Sequence, residues 1–352
     1  MIALSAFDYE KKLKNPSKLF TNTWKSKSFI NGPAVKEFEN KFANYCRTNT
    51  CVSVGSCTSA LQLSLIALSI GTNDEVITVP YTWVSTAECI KQVGANPIFV
   101  DIDPRTYCID PKKVAEKITS NTKAIISVDL FGHVSDIDAL KKFNVPIIQD
   151  AAQSTGAIYK GKRVGSLAHL TCFSFYPTKN LSCWGDAGAV TGLPEYVDEI
   201  KKLRNHGQSK RFQIERIGWN SRLDSIQAEV LIHKLPYLDK WNKRRREIAS
   251  YYNSELEGIV TIPYVDRNCI HVYHQYIINH VSIDRIQDAL TKNNIQSRVY
   301  YPTPLNKNKN YSDNQTYPNA EMASLSNLAI PVHQYLTDKQ AETIIKVIKK
   351  SI

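Results

Sequence analysis

No stretch of the 352 residues stays apolar for long enough to cross a bilayer, and the N-terminus has no hydrophobic core of the kind that marks a secretion signal. Neither a membrane partner nor an export leader is expected, and the expected location is the cytoplasm. The eight cysteines form no CxxC pair, and several fall inside strands or helices read from the pattern. They read as reduced thiols of a cytosolic protein, and no metal site is expected from them. There is no internal repeat. Blocks of like charge are almost missing: Lys and Arg number 44 against 33 Asp and Glu, a formal net charge of +11, yet the only tight basic run is Lys243-Arg244-Arg245-Arg246. That run reads as the solvated face of a helix. The spread of the remaining charge argues against a nucleic-acid partner, while a positive field would help a nucleotide diphosphate to approach.

What is present has the size and mix of a globular enzyme: 43% hydrophobic, 22% charged and 10% aromatic residues. The length suits one large α/β domain over residues 1–240 and a smaller one over 241–352. The first thirty residues read as irregular. From residue 35 onward, helical spacing and short apolar runs alternate. Strands are expected at 51–54, 76–80, 97–101, 124–128, 146–150 and 171–175, with helices between them, the signature of a mainly parallel sheet covered on both faces. The segment 189–191 adds a strand, and helices are expected at 197–203, 224–235 and 241–256. Beyond these, strands at 274–278 and 297–301, a helix at 283–292, a mobile Asn/Lys-rich loop at 307–317 and a helix at 340–350 form the smaller unit.

Asp150 ends one short apolar strand, and Lys179 lies in the loop leaving the next. In an open α/β sheet the carboxyl ends of the strands are where ligands bind. A lysine there can form a Schiff base, and an acid there can hold a protonated ring nitrogen. These are the two groups that a pyridoxal phosphate enzyme needs most. The turn Gly55-Ser56-Cys57-Thr58-Ser59 between a strand and a helix is either an anion site on free backbone amides or a simple helix cap made by Ser56 or Thr58. Trp83, just past a strand end, either stacks on a planar ligand or belongs to the core.

In the order DAAQ (150–153), FSFYPTKN (173–180) and GWNSRLDSIQAE (218–229), together with GSCTSALQL, RNHG and YYPTPL, the chain resembles the DegT/DnrJ/EryC1/StrS family of nucleotide-sugar aminotransferases. The resemblance covers nearly the whole chain. It implies fold type I of the pyridoxal phosphate transferases, with a mixed, mainly parallel sheet in the large domain and a smaller C-terminal α/β domain. It implies Lys179 as the Schiff-base lysine and Asp150 as the partner of the ring nitrogen. Gln153 matches the residue facing the ring hydroxyl, and Trp83 an aromatic stacked on the ring. Thr58, Ser59 and Ser174 match the phosphate site. Asn220 matches an asparagine that reaches the phosphate from the neighbouring subunit, which implies a homodimer with shared active sites. His206, Arg222 and Tyr301 match family segments with no role attached, and His206 could equally be a core histidine.

The implied reaction moves an amino group from L-glutamate to a nucleotide-linked keto-sugar. The first expectation is C4 of dTDP-4-keto-6-deoxyglucose, and the runner-up is C3 of a dTDP-3-keto-6-deoxyhexose. A related sugar dehydratase would carry histidine in place of Lys179, and a non-catalytic basic binding protein would lack the acid, the lysine or the turn. Two departures stand out: Cys57 where many relatives carry glycine, and Asn306 where many carry histidine.

Overall fold

The computed structural model describes residues 1–6 and 19–352, so part of the irregular start expected from the sequence lies outside the described residues. A seven-stranded sheet is built from β1 (Cys51–Val54), β2 (Glu75–Thr78), β3 (Asn96–Phe99), β4 (Thr122–Val128), β5 (Ile147–Asp150), β6 (Leu170–Ser174) and β7 (Gly188–Gly192), in the spatial order β1-β7-β6-β5-β4-β2-β3. Strands β2 to β6 pair in parallel, and β7 runs antiparallel to both its neighbours. The sheet is therefore mixed and mainly parallel, as the sequence implied. Both faces are covered, which is why these strands read as continuous apolar runs. Successive side chains go to opposite cores: Ile125, Ile147 and Phe173 to one, Ile126, Ile148 and Cys172 to the other. Helix α1 (Pro33–Cys46) buries Val35, Phe38 and Phe42 in the first core, where Phe42 meets Phe173 edge-on at 4.9 Å. Helix α2 (Cys57–Ala67) buries Leu61, Leu63 and Leu65 in the second.

Helices α3 (Ser85–Gln92), α4 (Pro194–Leu203) and α5 (Ser225–Lys234) follow, and then the long α6 (Leu238–Leu256). Helix α6 crosses between cores. Leu238 belongs to the first, while Ile248, Tyr252 and Leu256 belong to a third core with α7 (Ile283–Lys292) and α8 (Asp338–Ser351). That third core encloses an antiparallel pair, β8 (Tyr276–Asn279) and β9 (Asn327–Ile330). The start of the chain joins it: Ile2 N donates to Asn294 O, and Gln296 N donates to Ile2 O, both at 2.9 Å. No helix among the described residues is long and apolar enough to cross a membrane.

Four expectations need correction. The segment 297–301 is no strand. It touches β9 only at Arg298–Ala329, because the chain then turns through Pro302 and Pro304. The basic run on α6 is not all solvated: Arg245 is only 2% exposed, and its guanidinium donates to the carbonyls of Tyr273 (3.0 Å) and Val332 (2.6 Å). His206 is exposed, so it is no core histidine. The 307–317 segment, expected to be mobile, is tied down: Tyr317 is buried with its hydroxyl donating to Phe99 O at 3.1 Å, and Lys117 Nζ donates to Gln315 Oε1 at 2.8 Å.

Candidate active site

Strands β5 and β6 run parallel with Asp150 in register with Cys172, so Asp150 and Ser174 emerge at the same sheet edge. The chain leaving β6 turns at once. Lys179 N donates to Tyr176 O at 2.9 Å, which closes the turn and brings the lysine back over that edge. Asp150 and Lys179 line one cleft of about 500 Å³, together with Thr58, Trp83, Gln153 and Ser174.

The Asp150 carboxylate is buried and held on both oxygens. Thr86 Oγ1 donates to Oδ2 at 3.0 Å, Ala152 N donates to Oδ1 at 3.2 Å, and the Cys57 thiol lies 3.9 Å from Oδ1. Burial pushes the carboxyl above the usual aspartate range, while these donors and the Lys179 charge pull the other way. Lys179 is partly buried in the cleft wall. Desolvation lowers its ammonium below the ordinary lysine range, and the nearby Cys57 and Asp150 oppose the shift. Among the described residues the Lys179 amine has no hydrogen-bond partner. A lysine made easier to deprotonate, with a free amine, is the state that attacks an aldehyde.

The helix turn beside them is built for an anion. Ser56 caps α2, its Oγ accepting from Ser59 N at 3.1 Å, and Ala60 N reaches Ser56 O at 3.0 Å. The backbone amides of Cys57 and Thr58 are left without partners among the described residues. So the cap is Ser56, and capping does not use up the donors that an anion would need. Strand β7 approaches this turn so closely that a Cβ on Gly188 would lie 2.5 Å from the carbonyl carbon of Ser56, so only glycine fits there.

Trp83 is 61% exposed at the cleft, its ring 6.2 Å from that of Tyr301, which rules out the core reading. Gln153 is fixed at both ends of its amide: Phe131 N donates to Oε1 at 2.7 Å, and Nε2 donates to the Tyr301 hydroxyl at 3.1 Å. Ser174 is buried at the strand end, its Oγ 3.4 Å from Tyr176 N. Ser59, expected at the phosphate, and Asn220, expected to serve a neighbouring subunit, lie just outside the cleft. Ser59 and Asn220 line an adjoining surface groove of about 410 Å³, which shares Ser56 and Asp186 with the cleft. Asn220 is exposed there.

Thr86, His274 and Arg298 escaped the sequence reading. Thr86 is the second residue of α3, and only the fold brings its hydroxyl to Asp150. His274 Nδ1 is 3.2 Å from Asn180 Oδ1, beside the lysine, and burial holds its pKa well below the usual histidine value. A second cavity of about 500 Å³ between α6 and α8 is lined by Glu247, Tyr251, Asp338 and Lys339.

The lysine, the held acid and the open amides at a helix start fit pyridoxal phosphate. The chain matches the DegT/DnrJ/EryC1/StrS aminotransferase family over residues 11–349. It is 40% identical, over 88% of both chains, to a UDP-2-acetamido-2-deoxy-3-oxo-D-glucuronate aminotransferase of Pseudomonas aeruginosa. It is 38% identical, over 92% of this chain and 91% of the other, to a dTDP-3-amino-3,6-dideoxy-alpha-D-galactopyranose transaminase of Aneurinibacillus thermoaerophilus. Among solved structures it resembles S. venezuelae DesV, crystallised in complex with a ketimine intermediate, at a TM-score of 0.96 and 34% identity over 99% of this chain and 98% of that one. The chain belongs to the DegT/DnrJ/EryC1/StrS family and is a pyridoxal-phosphate-dependent sugar aminotransferase.

Proposed function

We propose that this enzyme moves the amino group of L-glutamate to C3 of a nucleotide-linked 3-keto-hexose. The observation that carries the transamination chemistry is the convergence of Asp150 and Lys179 on one cleft from two adjacent strand ends. The position rests on the two curated relatives described above, whose names both place the keto or amino group at C3. Amination at C4 of dTDP-4-keto-6-deoxyglucose is the second reading. The carrier is UDP or dTDP, since the two relatives divide between them.

Pyridoxal phosphate, when bound, supplies an aldehyde that captures amines and a ring that takes up the electron pair left when a proton departs. Lys179 would hold the cofactor through Nζ. Once displaced, its amine removes the proton from Cα of glutamate, and in the return half it delivers a proton to the sugar carbon that receives nitrogen. The lowered basicity of Lys179 suits this, because more of the amine is neutral near pH 7. Asp150, with Thr86 and Ala152 donating to its carboxylate, would pair with the ring nitrogen and favour its protonated form. Thr58, Ser59 and Ser174 serve the phosphate, Gln153 the ring hydroxyl, and Trp83 the ring face. Asn220 serves the cleft of a second copy in a homodimer, a role supported by its exposed place outside its own cleft. A division into domains at residue 240 belongs to the same proposal, supported by the passage of α6 from the first core to the third.

The test is single-turnover amination. The enzyme is converted with L-glutamate, freed of donor, and offered UDP- and dTDP-linked 3-keto and 4-keto sugars. Mass spectrometry of the products should show a new amine on the 3-keto sugars. Amination of the 4-keto sugars alone would replace C3 by C4.

A further inference from the structure

The cleft wall carries a cation that the chemistry above does not use. Among the described lining residues the standing cations are Lys179 and Arg298, because burial keeps His274 neutral. Lys179 is assigned to the cofactor. The Arg298 guanidinium has neither a carboxylate nor a hydrogen-bond acceptor among the described residues. Its backbone, in contrast, is fixed: Arg298 N donates to Ala329 O at 3.1 Å, and Ala329 N donates to Arg298 O at 2.8 Å. The side chain therefore starts from a set point on the wall. The same wall holds an open acceptor, since Gln275 Oε1 is buried without a donor. A buried acceptor left unpaired is unfavourable, and a hydroxyl or ammonium donor on a bound substrate would satisfy it.

The groups assigned to the cofactor come mainly from the sheet edge and from the starts of α2 and α3. Arg298, Tyr300 and Gln275 come from the C-terminal part of the chain, which leaves their wall to the substrates. Arg298 also stands close in the chain to the reacting end. Tyr301 follows it by three residues, and its hydroxyl accepts from Gln153, three residues after Asp150. A planar guanidinium binds a carboxylate through two parallel hydrogen bonds. Glutamate presents such a group next to the carbon that reacts, and a hexuronate presents one on the sugar, whereas a 6-deoxyhexose has none.

We propose that Arg298 is a substrate-binding residue that captures a carboxylate, either that of the amino-acid donor or that of a hexuronate sugar. The inference rests on the reading that one cleft serves both halves of the reaction. The experiment compares wild-type holoenzyme with Arg298→Gln and Arg298→Lys. Cofactor absorbance is followed in each half-reaction separately. L-glutamate is used in the first half, and nucleotide-linked 3-keto-6-deoxyhexose and 3-keto-hexuronate in the second. Loss of a charge-assisted hydrogen bond should raise the half-saturating concentration of the carboxylate-bearing partner by about tenfold or more, with the limiting rate little changed. Arg298→Lys should recover part of the loss. A shift for glutamate that spares both sugars identifies the donor as the source. A shift for the hexuronate that spares the 6-deoxyhexose identifies the sugar. The proposal is overturned if no carboxylate-bearing partner shifts by more than about twofold, or if the 6-deoxyhexose and the free nucleoside diphosphate shift as much as the others. Because the glutamate half-reaction runs without any sugar, a failure of the C3 reading leaves that arm intact.

Discussion

Thr86 Oγ1 donates to Oδ2 of Asp150 at 3.0 Å, and this bond opposes the rise in pKa that burial imposes on the acid. Thr86 is in turn 3.0 Å from Thr82 Oγ1, so its rotamer is held. Replacing Thr86 by valine keeps the shape and removes the donor. The carboxyl, already raised by burial, should rise further. Activity requires the ionised acid and is lost as pH falls through its pKa, so the acidic limb of the kcat profile should move to higher pH. At neutral pH kcat should fall about tenfold. Thr86→Ser should restore most of it. An unchanged acidic limb would separate Thr86 from the chemistry.

Wild-type enzyme should show a visible absorption band with pyridoxal phosphate and lose it on adding glutamate, and Lys179→Ala should abolish that band. Turnover should drop by about a hundred- to ten-thousandfold, the range for removing a positioned acid–base group. Persistence of the wild-type band in the variant would refute the lysine assignment.

Asp129 gives a pH signature in stability. It is fully buried at the end of β4, where Ser135 N donates to Oδ1 at 2.9 Å, and Gln149 Nε2 and Ser154 Oγ both donate to Oδ2 at 2.8 Å. Burial outweighs these donors and pushes its pKa up to about 7. The folded protein then holds a proton that the unfolded chain has released, so stability should decline as pH rises from the ordinary carboxylate range to about 7. Denaturant midpoints measured from pH 4.5 to 8 should show this decline in wild type and lack that component in Asp129→Asn. Equal slopes would mean that Asp129 stays ionised throughout.

Arg245 should be structural. Its guanidinium donates to Tyr273 O, Val332 O and Gln334 Oε1 from a buried position. Arg245→Met keeps the stem and strands those acceptors, at a cost of roughly 2–4 kcal/mol in denaturant unfolding. Met at the neighbouring Lys243, which is exposed, should cost little. Equal effects at the two positions would restore the view of this run as a solvated face.

Much of this enzyme is legible without coordinates. Strand 51–54 and helix 283–292 have the bounds read from the pattern, and strand 146–150 differs only by Pro146, because buried parallel strands are continuous apolar runs and an amphipathic helix repeats every three to four residues. Asp150 and Lys179 could be paired because each sits just at or past a strand end, and parallel strands deliver their ends to one edge. Other features depend on packing between segments far apart in the chain. The hydroxyl of Thr86 meets Asp150 across 64 residues, and Gln153 meets Tyr301 across 148. No local pattern encodes either contact. Arg245 reads as one charge among four neighbours until α6 packs its side chain against the backbone near Tyr273 and Val332. The placing of Arg298 in the cleft likewise depends on one backbone bridge to Ala329, not on a strand. The sequence by itself determined the sheet, the family and the meeting of Asp150 and Lys179 at one sheet edge, since these follow from periodicity and motif. Only the tertiary structure decided which side chains hold Asp150 and which cation lines its cleft, since those are relations between elements that the chain brings together on folding.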